Sequence, residues 1–152
     1  MTEIAWREKM SIDHAMIDED HRHLIEIINR FTRMAQSFSS PADALEILFA
    51  LKFYTKSHFD REETLQRLAG YPYFDAHCQE HAELIRELDD MIAQTQAADG
   101  ASITEISRGT AELLHTWLVD HIIKSDLRLA PYVEAMKTHM SGIGALQDIK
   151  QG

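Results

Sequence analysis

Four long amphipathic segments separated by short breaks dominate the sequence. Within each segment, apolar residues return in alternating steps of three and four, which is the period of one face of an α-helix. The breaks read "FSSPAD", "GYPY" and "ADGAS", and Gly, Pro and Ser in such stretches interrupt helices. Helices joined by short connections pack as antiparallel neighbours. We therefore predict an all-α, up-down-up-down four-helix bundle.

Capping and helix-breaking residues set the predicted limits. Pro41 occupies the favoured first position of the second helix, and Gly70 ends it. Ser102 and Glu105 form a capping-box pattern at the start of the fourth helix, and Pro131 interrupts that helix. The predicted helices are about 18–38, 41–69, 72–98 and 102–130. The 152 residues thus predict one domain, with an N-terminal arm (1–17), the bundle (about 18–130) and a short C-terminal helix or tail (131–152).

Composition excludes several classes of partner. The formal net charge is -10, with 15 basic against 25 acidic residues, which argues against nucleic acid and anionic membrane surfaces as ligands. The sequence contains no run of about 18 apolar residues, so we predict no membrane insertion. Cys78 is the single cysteine, which excludes an internal disulfide, and the first residues lack an apolar signal segment. These features predict a cytoplasmic protein.

Polar residues interrupt the apolar stripes of all four helices. The second stripe contains His58 and Glu62, the third contains His77 and His81, and the first contains His21. The fourth stripe is predicted to run through Ile103, Ile106, Thr110, Leu113, Trp117 and His121. A single histidine on an apolar face is more often a hydrogen-bonded core residue than a metal ligand, so no one of these residues is informative alone.

The chain positions of these residues distinguish the two interpretations. His21 and His58 lie about equally far from the first break, Glu62 and His77 from the second, and His81 and His121 from the third. Residues equally far from the turn of an antiparallel hairpin lie at the same height, because each residue rises about 1.5 Å. All six are therefore predicted to meet in one slice of the bundle, which a random scatter of core histidines would not do.

Such a slice needs metal ions. Burying unpaired imidazoles and a carboxylate costs several kcal/mol for each group, and metal coordination offsets that cost. Five histidines with carboxylates exceed the four ligands of a tetrahedral zinc site, so two metal ions fit better. Nitrogen and oxygen ligands without thiolate suit iron, with manganese, zinc and cobalt as alternatives.

Four motifs in order, "IDEDHRHLIEIIN", "HFDREE", "GYPYFDAHCQEH" and "WLVDHIIKSD", resemble the hemerythrin family over about residues 6–135. The resemblance implies a non-haem di-iron site that binds dioxygen reversibly. By motif, His77, His81 and His121 would hold one iron, while His21 and His58 would hold the other. Glu62 and Asp126 would bridge both ions together with an oxo or hydroxo group. Dioxygen would bind the iron with two histidines, which keeps an open position.

The resemblance also implies an apolar oxygen pocket. The corresponding residues are Leu24, Phe59, Trp117, Leu118 and Ile122, for which plain core packing is a compatible interpretation. Carboxylate-rich di-iron bundles suit oxidation, whereas a histidine-rich site suits reversible binding. We therefore predict an oxygen carrier, store or scavenger with no catalytic residues. The alternatives are a sensor of oxygen, nitric oxide or redox state that acts through a separate partner, and a peroxidase or nitric-oxide-reducing enzyme. Nitric oxide and small anions are further candidate ligands.

The spacing of His121 and Asp126 predicts an irregularity in the fourth helix. Five residues of a regular α-helix turn 500°, which leaves the two side chains about 140° apart. A one-residue π-bulge lowers this angle to about 50°. We therefore predict that the helix widens between these residues.

Overall fold

The computed structural model describes residues 2–139, and within this range it contains four long α-helices and no strand. They are α1 (Ala15–Met34), α2 (Pro41–Ala69), α3 (Phe74–Ala97) and α4 (Ile103–Thr116). Helix α1 packs against α2 and α4, and α3 packs against the same two helices. Because the connections are short, consecutive helices run antiparallel. The predicted up-down-up-down bundle is confirmed.

Local sequence fixes the limits of α2. Pro41 opens the helix, as predicted. Gly70 ends it in the left-handed conformation, with φ of 65°, which a residue without Cβ adopts at no steric cost. The N–H groups of Gly70 and Tyr71 then donate to the carbonyls of Arg67 and Gln66, which satisfies two carbonyls of the last turn.

The predicted capping box at the start of α4 is wrong. Ser102 has a helical backbone and makes no side-chain cap. Asp99 takes the role instead, because its Oδ1 accepts the N–H groups of Ala101 and Ser102 at 3.0 and 2.9 Å. The Asp99 carbonyl also accepts the N–H of Ile103. The residue that accepts these N–H groups before α4 is therefore Asp99, three residues earlier than the predicted cap.

The N-terminal arm is tied to α1. The Ile4 N–H donates to the Asn29 side chain at 2.7 Å, and that side chain donates back to the Ile4 carbonyl at 2.8 Å. Buried Asp18 accepts the Ser11 hydroxyl at 2.5 Å and the Ile12 N–H at 2.9 Å. A small apolar cluster then closes this end of the bundle: Ile12, Ile17, Leu65, Tyr71, Leu129 and Val133.

The fourth helix changes its winding as it leaves the main core. Helix α4 passes into a π-helical segment (Trp117–Ile123), a short α-helical turn (Lys124–Asp126) and a 3₁₀ turn (Leu127–Leu129). Residues 130–139 are helical again, as predicted for the C-terminal helix, and the remainder of the predicted tail lies outside the described residues. The predicted widening is present, but it begins at Trp117, before His121.

The inner face of the fourth helix differs from the predicted stripe. Leu114 is fully buried, whereas Leu113 is 54% exposed. Leu118 and Ile122 continue the buried face in steps of four, because the turns of a π-helix are wider than those of an α-helix. The prediction that Leu113 and His121 face the core is therefore wrong.

Two apolar clusters divide the interior. The larger one contains core residues from all four helices, including Phe31, Leu48, Leu88, Ile103 and Leu114. The small cluster at the arm end is separate from it. On α1 and α3, the predicted metal-binding residues His21, His77 and His81 lie in the chain between residues of the small cluster and residues of the large one. No helix within residues 2–139 is both long enough and apolar enough to cross a membrane.

Candidate metal centre

Six of the seven predicted metal-binding residues form one buried cluster. All are at most 5% exposed. Helices α1, α2 and α3 contribute five of them, and the sixth comes from the short helical turn that follows the π-helical segment. The members are His21, His58, Glu62, His77, His81 and Asp126, which we call the buried cluster. It consists of two overlapping groups, and within each group the ligand atoms lie within 4.8 Å of one another. One group contains His21 and His58, the other contains His77 and His81, and both contain Glu62 and Asp126.

Asp126 faces both groups with different oxygen atoms. Its Oδ2 lies 2.7 Å from His21 Nε2 and 3.0 Å from His58 Nε2. Its Oδ1 lies 3.1 Å from His77 Nε2. A carboxylate arranged in this way can donate one oxygen to each of two metal ions.

Glu62 repeats this arrangement. Its Oε1 lies 2.5 Å from His77 Nε2 and 3.4 Å from His81 Nε2, while its Oε2 lies 3.2 Å from His58 Nε2. The buried Gln66 amide, one turn along α2, donates to Oε1 at 2.9 Å and so orients the carboxylate. The two shared carboxylates therefore both lie between the two pairs of histidines.

The cluster requires positive charge at its centre. Burial opposes protonation of His77, but hydrogen bonds with Asp126 and Glu62 outweigh it and raise the pKa of His77 to about 10. Burial also opposes protonation of His58, but its contacts with the carboxylates of Asp126, Asp20 and Glu62 outweigh burial and raise its pKa well above the ordinary value. Burial raises the pKa of Asp126, yet hydrogen bonding with Glu62 and the histidines lowers it well below the ordinary value. Either protons or metal cations can supply the charge that these carboxylates need.

The His81 ring is not satisfied by hydrogen bonds within the cluster. Both ring nitrogens of His81 are buried without a hydrogen-bond partner. A buried polar group without a partner costs about 1–3 kcal/mol. Coordination to a metal ion in the group with His77 and His81 would satisfy His81 Nε2. The donor set is imidazole and carboxylate without thiolate, which suits iron, manganese, cobalt and zinc. The residues present therefore fit a pair of metal ions.

His121 does not join the buried cluster. Its side chain is exposed and lies in a surface groove beside Glu87, Asp120 and Lys124. The expectation that His121 meets the other histidines is thus wrong in this structure. The reason is the early start of the π-helical segment, which brings Ile122 inward and turns His121 outward. A role for His121 as a ligand stays a prediction from its motif.

The predicted pocket residues are all buried, and Phe59 contacts the cluster. Phe59 stacks on the His81 ring, with centroids 3.7 Å apart and an angle of 5° between the planes. Trp117 is 1% exposed, and its indole N–H donates to the Leu84 carbonyl at 3.0 Å. Leu24, Leu118 and Ile122 belong to the same apolar cluster of the core. Their assignment as an oxygen pocket stays a prediction.

Cys78, next to His77 in the chain, takes no part in the cluster. Its half-buried thiol donates to Glu63 Oε1 at 2.8 Å. Burial and the neighbouring Glu63 raise the pKa of Cys78 to about 12, so the thiol stays protonated at neutral pH. A protonated thiol is neither a good metal ligand nor a good nucleophile.

Sequence reasoning missed the residues that surround the cluster. In the sequence, Asp20 is only one of a run of acids at the start of a helix, yet its side chain is 4% exposed and contacts His58. Arg61 and Tyr54 hold Asp20 from α2. One signal was present: Asp20 directly precedes His21, and Arg61 follows His58 by three residues, so opposite charges flank two predicted ligands on neighbouring helices.

The fold and the cluster define a four-helix-bundle protein with a buried histidine–carboxylate metal centre. Comparisons with known proteins agree with this class. The Hemerythrin HHE cation binding domain profile matches residues 13–133, so the chain belongs to the hemerythrin family.

Individual relatives support the assignment. A bacteriohemerythrin of Stenotrophomonas maltophilia is 30% identical over 141 residues, which cover 93% of this chain and 86% of the relative. A bacteriohemerythrin of Pseudomonas aeruginosa is 33% identical over the same shares of both chains. The crystal structure of wild-type hemerythrin matches with a TM-score of 0.74 at 24% identity, covering 87% of this chain and 98% of that chain. This last match shows a common fold.

Proposed function

We propose that this protein binds dioxygen reversibly at a non-haem di-iron centre and acts as an oxygen carrier, store or scavenger. The observation that carries the proposal is the pair of overlapping ligand groups that share Glu62 and Asp126. Two ions that share two carboxylates lie close enough together to act on one small ligand. The relatives named bacteriohemerythrin support the choice of iron and dioxygen.

The proposed ligand roles follow the two groups. His21 and His58 would hold one iron, and His77 and His81, joined by His121, would hold the other. Glu62 and Asp126 would bridge the ions, with an oxo or hydroxo group as the third bridge. Iron in this site would supply the electrons and the open coordination position that dioxygen binding needs. Nitric oxide and small anions would compete for the same position.

The surrounding residues favour release of oxygen over its reduction. Phe59 covers His81 with an apolar ring, and Leu24, Leu118 and Ile122 are buried alongside. The Trp117 indole, the one N–H group among the proposed pocket side chains, is already donated to the Leu84 carbonyl at 3.0 Å. A pocket without a free proton donor disfavours side reactions. We therefore propose a binding protein and not an enzyme.

A cytoplasmic location is also part of the proposal. Cys78 is a free cysteine that donates to Glu63, an arrangement that needs a reduced thiol. A reducing compartment preserves that state.

The direct test is an optical titration of iron-loaded protein. The protein is loaded anaerobically, its iron content is measured by elemental analysis, and its spectrum is recorded through several cycles of oxygen addition and removal. We expect about two iron ions per chain, as the two ligand groups predict, and a near-ultraviolet and blue-green absorption that appears with oxygen and disappears without it. Zinc-loaded protein serves as the control, because zinc has no redox chemistry.

Two results would contradict the proposal. Absorption that develops once and does not reverse would show oxidation in place of reversible binding. Sustained turnover of hydrogen peroxide or nitric oxide by the purified protein would indicate an enzyme.

A further inference from the structure

Asp20 lies behind His58, on the side away from the buried cluster. The two nitrogens of the His58 ring face two different carboxylates. Nδ1 lies 3.0 Å from Asp20 Oδ2, and Nε2 lies 3.0 Å from Asp126 Oδ2. His58 is fully buried and Asp20 is 4% exposed, so water does not compete for this contact.

Three further hydrogen bonds hold Asp20 in place. The Arg61 guanidinium donates from Nε to Oδ2 at 2.9 Å and from Nη2 to Oδ1 at 2.7 Å. The Tyr54 hydroxyl donates to Oδ1 at 3.0 Å. A bidentate arginine–carboxylate pair fixes the plane of the carboxylate as well as its position. Because Asp20 is on α1 and the other three residues are on α2, the network also joins the two helices at the level of the cluster.

The network has a chemical consequence for His58. A neutral imidazole carries one N–H, and a hydrogen bond at one nitrogen decides which nitrogen keeps a free lone pair. Asp20 accepts the N–H at Nδ1, so the lone pair of Nε2 is directed toward Glu62 and Asp126. A carboxylate on the far nitrogen also makes a metal-ligating imidazole a stronger donor.

The other histidines of the cluster do not all have such a hydrogen bond at Nδ1. Within residues 2–139, the Nδ1 atoms of His21 and His81 have no hydrogen-bond partner. Glu63 Oε2 comes no closer than 3.7 Å to His81 Nδ1. His58 belongs to the ligand group with fewer proposed histidines, which is the group that keeps the open position. The charged network therefore acts on the metal ion to which oxygen is proposed to bind.

We propose that Asp20 is a positioning residue for the ligand His58, held in place by Arg61 and Tyr54, and that it sets the affinity and reduction potential of the metal ion at the His21–His58 position. The inference rests on the proposed metal centre and assigns a task to residues outside its ligand set. Asp20→Asn should weaken binding of one of the two ions by about 10–100-fold, the usual effect of losing such a partner, and leave the other ion in place. The reduction potential of the iron pair should rise, because a less basic imidazole stabilises the oxidised state less.

The matched control is Asp89→Asn. Asp89 also pairs with a cation on α2, with Lys52 Nζ at 2.6 Å from its Oδ1, but this pair lies on the surface. Both variants remove one carboxylate charge and one ion pair between helices. Iron(II) retention against a chelator and the midpoint potential are measured for both. Asp89→Asn should match the wild-type protein.

Milder variants guard against misfolding of Asp20→Asn. Tyr54→Phe and Arg61→Gln keep the carboxylate and should give smaller changes in the same direction, while Asp20→Glu should restore part of the affinity. In zinc-loaded protein, nitrogen-15 NMR should show a His58 Nδ1 proton that exchanges slowly with water and is lost in Asp20→Asn. A merely structural role for Asp20 would not move that proton.

The outcomes separate the two proposals. Unchanged ion retention, potential and proton exchange in the Asp20, Arg61 and Tyr54 variants would overturn the positioning role. A wild-type protein that retains a single ion would instead contradict the di-iron function. In that case the zinc-loaded NMR comparison would still decide whether Asp20 sets the His58 tautomer.

Discussion

Asp126 Oδ2 lies 2.7 Å from His21 Nε2, although 105 residues separate the two in the chain. The contact joins the first helix of the bundle to the end of the fourth. It closes the buried cluster, because His58 Nε2 also reaches the same oxygen at 3.0 Å. Asp126 reaches this position only after the π-helical segment, so the winding of the fourth helix decides whether the two ligand groups share a carboxylate.

Removal of His58 should empty one metal position. His58→Ala deletes the ring whose Nε2 meets Asp126 and Glu62, and it leaves the group with His77 and His81 intact. We expect the iron content to fall from about two ions per chain to about one, while the far-ultraviolet circular dichroism stays helical. Wild-type iron content in this variant would show that His58 is not a ligand.

His121 offers a sharper test, because sequence motif and structure disagree about it. Its side chain is exposed outside the cluster, yet the family motif predicts a ligand. We expect metal binding to draw the ring inward to the His77–His81 position. His121→Ala should therefore lower iron retention, while His115→Ala, a histidine on the same helix outside the motif, should not. Equal retention in both variants would leave the second group with two histidines.

The first three helices were predictable because they keep a regular α-helical period. The apolar period of α2 predicted correctly that His58 and Glu62 face the core, and the period of α3 predicted the same for His77 and His81. The fourth helix was not predictable in the same way. A period of 3.6 residues places Leu113 inward, whereas the chain buries Leu114 and then widens.

Residues that act through a neighbouring helix were also hidden in the sequence. The pattern around Asp20 shows a run of acids at a helix start, which is common for electrostatic reasons alone. Its contacts with Tyr54 and Arg61 depend on the exact rotation of α1 against α2. Periodicity determines which face of a helix is buried but not which polar side chains meet across the boundary.

Metal-free protein should lose stability as the pH rises above neutrality. The pKa of His77 is about 10 in the folded chain against an ordinary value of 6.5. A raised pKa contributes stability that is complete below 6.5 and disappears as the pH passes through about 10. Denaturant titrations of chelated protein should show this decline, whereas metal-loaded protein should not. Zinc addition at pH 7 should release protons into a weakly buffered solution, and no release would contradict the raised pKa.

Metal removal should lower the melting temperature. A ligand that binds only the native state stabilises it by about 2.7 kcal/mol at 100 times its dissociation constant, and the site is proposed to bind two such ions. In the absence of metal, the His81 ring nitrogens stay buried without partners. Thermal unfolding of chelated, zinc-loaded and iron-loaded protein gives the comparison. Equal melting temperatures would mean that the cluster holds no metal in the native state.

Leu118 should protect the oxygenated protein from autoxidation. It is fully buried next to Trp117 in the proposed oxygen pocket. Leu118→Ala should destabilise the fold by about 2–5 kcal/mol through loss of packing. It should also open space through which water can supply protons, so the oxygenated form should decay to the oxidised form faster. The control is Leu48→Ala on α2, because Leu48 is equally buried but is not part of the proposed pocket. That variant should lose comparable stability with wild-type autoxidation. If both variants accelerate autoxidation to the same degree, general loosening of the core is the cause, and Leu118 has no specific role in sealing the pocket.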